Sequence, residues 1–494
     1  MKKAVLLILF ISCILFGFSK PQNLRAYLSY STFYSPEHGP YIETYLSVLG
    51  QSVIFVRNDN GKFQGSVKIT MLFKQNDTIK DFRKYDLMSP EVDDTTTINF
   101  SFLDQQRIPL PNGAYDFELS ISDKNRDKTP FTISENLSLS YPDRKLTVSG
   151  IELIESYKKA SVDNPLTKSG YDFIPYMDNF FPASINKLTY YSEVYNSSAS
   201  IQAGEKFGIT VSIQSYETSK LITNYQRIKR EDPKGVNVVF GEFDISQLPS
   251  GNYNLLISVR DKNNQELTSN SLFFQRSNPS IKYDMADISD VDLMSSFTSG
   301  IKNADSLREF IRCLFPISSG TEKLFIKTQL KTADLDLMRK YFHVFWTSRD
   351  NVNPVLAWNK YYEQVLAVER EFKATNKRGY ETDRGRVYLQ FGAPNARSQD
   401  TKDPSMYPYE IWQYYKIGNQ TNRKFVFYTR DLAFNDYTLV HSDAEGEVYN
   451  PWWQRQVKRQ SITTNDNNNY THRPQDEEDN YFGGHSSDYY NLPR

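Results

Sequence analysis

One sixteen-residue phrase occurs twice: LPNGAYDFELSISDKN at 110–125 aligns without a gap with LPSGNYNLLISVRDKN at 248–263. A recurrence of that length predicts two copies of one domain. Upstream segments correspond in the same order, PYIETYLSVLGQSV (40–53) with INKLTYYSEVYNSS (185–198) and SVKITMLFKQ (66–75) with KFGITVSIQS (206–215). In each copy Leu-Pro-x-Gly-x-Tyr reads as a turn entering a strand. Pro fixes φ, Gly permits a left-handed position, and Tyr115 or Tyr253 opens an alternating apolar run that Asp-Lys-Asn closes as a hairpin. Short strands between polar turns predict tandem antiparallel β-sandwiches, immunoglobulin- or fibronectin-like, at 20–146 and 147–278. Tyr115 and Tyr253 are expected in the cores, tying their hairpins to the opposite sheets.

The pattern changes at residues 285–460. In ADLDLMRKYFHVFWTSRD (333–350), Leu335, Met338, Phe342, Phe345 and Trp346 follow helical spacing, and Asn353-Pro354 is an N-cap with proline at the first helical position. Trp358, Tyr361, Tyr362, Val365, Val368 and Phe372 continue a stripe, so two helices are expected to form an antiparallel hairpin. SDVDLMSSF, ADSLREFIRCLF and TEKLFIKTQL read as shorter helices. YEIWQYYKI, KFVFYTRDL and DYTLVHSD alternate as strands, with GNQTNR and AFN as their turns. PWWQRQVKRQ (451–460) reads as a terminal helix or a contact patch. The polar residues 461–494, which include Tyr481-Phe482 and Tyr489-Tyr490, are expected to be a disordered tail.

MKKAVLLILFISCILFGFSKPQ reads as a secretory signal over residues 1–19, with acylation at Cys13 as the alternative to ordinary cleavage after Ser19. No later stretch has the roughly 20 apolar residues that span a bilayer. The expectation is an exported periplasmic or outer-membrane-associated protein with no transmembrane span in its mature chain. Removal of the signal leaves Cys313 alone, read as a buried filler. Charges nearly cancel, 58 Lys+Arg against 59 Asp+Glu, which argues against nucleic acid as a partner.

Between the helices and the strands lies GYETDRGRVYLQFGAPN (379–395). Gly379, Gly385 and Gly392 do not have the spacing of a phosphate loop or a dinucleotide fingerprint. No HExxH or GxSxG occurs, the five histidines show no metal-ligand spacing, and no catalytic residue, metal or cofactor is assigned. Glu381, Asp383 and Asp350 are the carboxylates an acid/base pair would draw on. The structural reading accounts for more letters: Thr382 or Asp383 caps a short helix, Val387, Tyr388 and Phe391 form its inner face, and Gly392 followed by Pro394 ends it. Arg384 and Arg386 are expected to project outward or to pair with Asp350 or Glu410.

FWTSRD, the helical stretch after it, GYETDRGRVYLQFGAPN and YEIWQYY together resemble the GWxTD-domain family of exported Bacteroidota proteins. Tyr380 stands where the family has Trp, and RDNVNP replaces its Arg-Asp-Pro. The resemblance supplies no activity. A further similarity, helix to Gly-x-Pro to Trp-x-Tyr strand, is to the small lipoprotein subunit of the outer-membrane β-barrel assembly machinery. Together these readings imply a non-enzymatic envelope binding or assembly protein, docking a protein complex through Trp346, Arg349, Asp350, Tyr380, Asp383, Arg384, Arg386 and Trp412. A glycan- or peptidoglycan-binding or hydrolysing protein is the alternative.

Overall fold

The computed structural model describes residues 24–459 apart from 77, 127–129, 163, 165, 203, 282–295 and 419. The expected signal, the tail, and the helix at 289–297 apart from Ser296 and Phe297 lie outside the described residues. The chain forms two compact units, one built on residues up to 28, 44–106 and 114–137, the other on 29–43, 107–113 and 138 onward.

The first copy has eight strands: β1 Ala26–Ser35, β2 Gly39–Leu49, β3 Phe55–Arg57, β4 Phe63–Gln75, β5 Thr78–Met88, β6 Ser101–Pro109, β7 Gly113–Asp123 and β8 Phe131–Leu139. The second copy has β9 Thr147–Val148, β10 Glu152–Lys159, β11 Tyr171–Pro175, β12 Phe180–Phe181, β13 Lys187–Tyr195, the helical turn α1 Ser197–Ser200, β14 Phe207–Ser215, β15 Leu221–Glu231, β16 Val236–Asp244, β17 Gly251–Arg260 and β18 Glu266–Arg276. The duplication extends to topology. The order β1-β2-β6 is repeated by β10-β13-β16, and the run β5-β4-β7-β8 by β15-β14-β17-β18. The alternation explains why: Val67, Ile69, Met71 and Phe73 of β4 are buried, and so are Phe207, Ile209, Val211 and Ile213 of β14. Each such side chain contributes about 1.5–3 kcal/mol by leaving water.

The repeated phrase does something more specific than turn. Tyr253 is buried as expected, but its hydroxyl donates to Pro249 O at 2.9 Å, within its own turn instead of across to the opposite sheet. A Cβ on Gly251 would sit 3.1 Å from that hydroxyl, so glycine clears the space over which the ring folds back. The variable position of Leu-Pro-x-Gly anchors the exit of each sandwich. Asn112 exchanges two hydrogen bonds with the backbone of Tyr141, and Ser250 Oγ accepts the Asn278 N–H at 2.7 Å. Both exits lie two residues past the last strand of their copy.

In the second unit, the ends of β1, β2 and β6 are fixed to the second sandwich by buried charge. Lys168, only 5% exposed, reaches Glu43 at 3.0 Å and Glu152 at 2.5 Å; Arg107 reaches Glu43 at 3.0 Å and donates to Leu166 O. The Lys168 ammonium lies 4.2 Å from the centre of the Phe33 ring. Beside it, Glu193 accepts the hydroxyls of both Tyr191 and Tyr195.

The C-terminal part comprises α2 Ala304–Arg312, α3 Gly320–Thr328, α4 Leu335–Arg349, α5 Pro354–Phe372, α6 Asp383–Phe391, β19 Ala396–Asp400, β20 Tyr409–Ile417, β21 Gln420–Tyr428, β22 Thr438–Ser442 and α7 Trp453–Val457. The α4–α5 hairpin forms as its stripes predict, with Asn353 capping α5. The sheet is antiparallel in the order β19-β20-β21-β22. Two readings need correction. The connection GNQTNR shrinks to residues 418–419 because β21 begins at Gln420, and the polar ARSQD, which lacks an apolar alternation, adds the edge strand β19. Helix α3 meets the second sandwich at the repeated turn, where a Cβ on Gly320 would lie 2.0 Å from Ser250 O. Gln420 also donates to the Tyr216 hydroxyl. All five tryptophans fall between 346 and 453.

Replacing Lys168 by methionine removes the cation 2.5 Å from buried Glu152 and leaves Glu43 with Arg107. Loss of one partner from a buried ion pair costs about 3–5 kcal/mol, and urea denaturation of K168M is expected to show a drop of that order.

Candidate functional site

The 379–395 segment is a joint built on backbone contact. A Cβ on Gly379 would lie 2.4 Å from Val368 O of α5, and one on Gly385 only 1.9 Å from Gly379 O. Nothing larger than hydrogen fits at either place. Thr382 caps α6 and closes the joint: its hydroxyl accepts the Gly385 N–H at 3.1 Å and donates to Gly379 O at 2.8 Å. The Gly379 N–H donates to Glu369 at 2.6 Å. Gly392 ends α6 at φ +84°, its N–H bonded to Tyr388 O, and Pro394 follows. The inner face of α6 differs in detail from the expectation. Arg384, Val387 and Leu389 are buried, whereas Tyr388 and Phe391 are half-buried against the core.

Each polar letter of the motif holds a different neighbour. Tyr380 is buried and donates to Glu309 of α2 at 3.0 Å. Asp383 accepts the Leu439 N–H at 2.8 Å, fixing β22. Arg384 does not project outward; it reaches Glu410 at 3.2 Å and Asn435 O at 3.0 Å, with its guanidinium 3.9 Å from the Tyr437 ring centre. Glu410 also receives Arg397 at 2.9 Å. Arg386 forms a bidentate pair with Glu447, both contacts 2.7 Å. Trp412 packs on Phe372 and Phe427, fully buried. The indole N–H groups of Trp412 and Trp346 have no hydrogen-bond partner among the described residues.

Arg349 and Asp350 are not part of this joint. Arg349 pairs bidentately with Glu322 at 2.8 and 2.7 Å, and also donates to Ile317 O. Asp350 meets neither Arg384 nor Arg386; its carboxylate accepts the N–H groups of Val352 and Asn353, shaping the tip of the α4–α5 hairpin. That tip presents Val352, 90% exposed, with Val355 and Leu356 also exposed. Helical periodicity could not flag these residues, because they fall outside the apolar stripe.

The carboxylates considered for acid/base work are engaged structurally. Glu381 accepts the Arg378 N–H, Asp383 that of Leu439, and Asp350 those of the tip. Among the described residues no group of three or more His, Cys, Asp or Glu side chains is placed to hold a metal ion. No helix among them is long and apolar enough to cross a membrane. Cys313 is buried, which pushes its thiol far above the usual range. Sequence reasoning named Glu410 as a partner but missed Glu309, Glu322, Glu369 and Glu447. The available signal was an acid beside a glycine or inside an apolar run.

Two outcomes follow from this geometry. Gly385→Ala is expected to abolish folding of the module, whereas Gly392→Ala, in open space, costs about 1–3 kcal/mol from its glycine-favouring backbone conformation; circular dichroism melts separate the two. His441 is buried in β22, its Nδ1 accepting the Asn450 N–H, and desolvation lowers its pKa to about 4. The unfolded chain therefore binds the extra proton first. This contribution, about 3 kcal/mol, is fully present above about pH 6.5, and is lost as pH falls from there to about 4. In His441→Gln that slope is expected to disappear from denaturation midpoints measured across this range.

No curated protein matches the chain. Among solved structures it resembles fibronectin(III)-like modules of Clostridium thermocellum CbhA, at 11% identity over 49% of this chain and 89% of that one, TM-score 0.14. A Salmonella alpha-2-macroglobulin mutant matches at 11% identity over 53% and 17%, TM-score 0.16. A Bacteroides uniformis beta-glucuronidase matches at 8% over 56% and 32%, TM-score 0.15. The chain thus spans under a third of either of these last two, and none of the three likenesses bears on activity. Residues 301–460 match the family model of the GWxTD domain, so the C-terminal module of this chain is a GWxTD domain.

Proposed function

We propose that the chain is a non-enzymatic, exported cell-envelope protein that docks a protein partner through its GWxTD module, with the sandwiches supplying reach. Export rests on the N-terminal sequence. Docking rests on the hairpin tip, where three aliphatic side chains stand in solvent, Val352 on the loop and Val355 and Leu356 in the first turn of α5, on a tip held from below. Asp350 fixes the loop's backbone, and Arg349 ties the end of α4 to Glu322 and Ile317. An apolar tip ordered before binding loses little conformational entropy on contact, which favours its use as an anchor in a partner's groove. Trp346, Tyr380, Arg384 and Trp412 act behind it as the frame.

A second reading, glycan binding, draws on Tyr157 of β10. It is 46% exposed and packs edge-on against Phe240 at 4.9 Å and Tyr171 at 5.9 Å on the face of the second sandwich. Stacking of a sugar on that ring is the chemistry it would use.

A photo-reactive residue at position 352, introduced into the full chain in its native cell, is expected to give one discrete crosslinked product. Val352→Asp/Leu356→Asp should abolish co-purification of that product while leaving the melting curve unchanged. Unchanged co-purification with the folded variant would sink the docking reading. Glycan retention that Tyr157→Ala removes would replace it with the second.

A further inference from the structure

On the outer side of α2, next to the motif, lies an open groove of about 620 Å³, a size typical of ligand sites. Phe310 and Tyr362 line it, edge to face at 5.2 Å, with Trp358 stacked behind Tyr362 at 4.8 Å. Its rim carries Arg308, Arg312 and Arg378. Arg308 is committed to Asp305 at 2.9 Å. The other two are loosely held: Arg312 stands 3.7 Å and Arg378 3.6 Å from the same carboxylate, Glu309, which already accepts the Tyr380 hydroxyl. Arg378 also lies 3.4 Å from Glu369, the acceptor of the Gly379 N–H. Both guanidiniums are about half exposed, their side chains at 51% and 55%. Each has five N–H donors, so most of their capacity faces the groove.

Two underused guanidiniums over an aromatic floor complement a peptide with carboxylates followed by aromatic rings. The chain contains such a peptide: Asp476-Glu477-Glu478-Asp479-Asn480-Tyr481-Phe482. The other aromatic pair, Tyr489-Tyr490, has one adjacent acid, Asp488, and matches less well. Reach is sufficient. Seventeen residue steps separate Arg459 from Asp476, and at about 3.3 Å each they cover up to about 55 Å. A domain of this size has a radius of gyration of about 15 Å.

We propose that the arginine-rimmed groove of α2 is an intramolecular docking site for residues 476–482 of the same chain. The acids would pair with Arg312 and Arg378, and Tyr481 and Phe482 would pack on Phe310 and Tyr362. Such a contact would cover the surface on which Tyr380 and Arg378 connect the motif to α2.

Amide hydrogen exchange on the full chain tests this. At about 20 mM salt, where screening is weak, residues 476–482 are expected to exchange about tenfold more slowly than in an Arg312→Glu/Arg378→Glu variant or in about 1 M salt. Adding Glu477→Arg/Glu478→Arg to that variant should restore the slow exchange. Unaltered protection of the α4 amides shows that each variant is folded. Exchange in the wild type as fast as in the variant, or slowing that the arginine reversal leaves intact, would overturn the proposal. So would slowing that grows with protein concentration, because it would assign the groove to the tail of a second copy.

Discussion

The C-terminal module depends on one close backbone approach, the Gly385 Cα hydrogen against the carbonyl of Gly379. It seats the first turn of α6 on the Gly379 turn, which itself lies on the α5 backbone at Val368, with the Val368 side chain alongside. The positions of everything C-terminal follow from it. Once α6 is seated, Asp383 holds β22, Arg384 holds β20 and the loop at Asn435, and Arg386 holds the loop at Glu447. Thr382 spans the contact by bonding both glycines, so it positions the helix as well as capping it. Beside the contact, the buried Tyr380 gives its hydroxyl to Glu309 of α2.

Around this contact the module relies on buried charge, and the second sandwich does the same at Lys168. Such pairs contribute little net stability against an apolar replacement, but they penalise wrong arrangements heavily. A misplaced α6 would leave Arg384 or Glu410 buried without its counter-ion. The arginines thus select one packing among several apolar ones of similar energy. The unpartnered indoles of Trp346 and Trp412 show the opposite economy, where ring packing outweighs a lost hydrogen bond.

The repeat made both sandwiches legible, and its correspondence extends to the sheet order, because period-two burial leaves little freedom once β4 and β14 are aligned. The helices were legible from their stripes and from the Asn353-Pro354 start. β19 was hidden: a polar edge strand is specified by pairing with β20, and nothing in ARSQD announces it. The glycines of the motif were visible as letters, but their role was not, since close approach between Gly379 and Gly385 depends on where α5 runs. The core position of Tyr253 is legible from the turn before it, but the acceptor for its hydroxyl is not. Pro249, four residues earlier, supplied one locally.

The tryptophans have a practical consequence. Neither sandwich contains one; all five lie from Trp346 to Trp453, and among them Trp346, Trp412 and Trp453 are buried. The sandwiches hold tyrosine as their buried chromophore instead, at Tyr45, Tyr191, Tyr195 and Tyr253. Indole emission is therefore an optical signal belonging to the GWxTD module alone, whereas the 34 tyrosines are shared between the duplicated part and the rest of the chain. Loss of structure in the module can thus be followed by itself in the unlabelled protein, by exciting indole alone, and compared with a whole-chain signal such as circular dichroism.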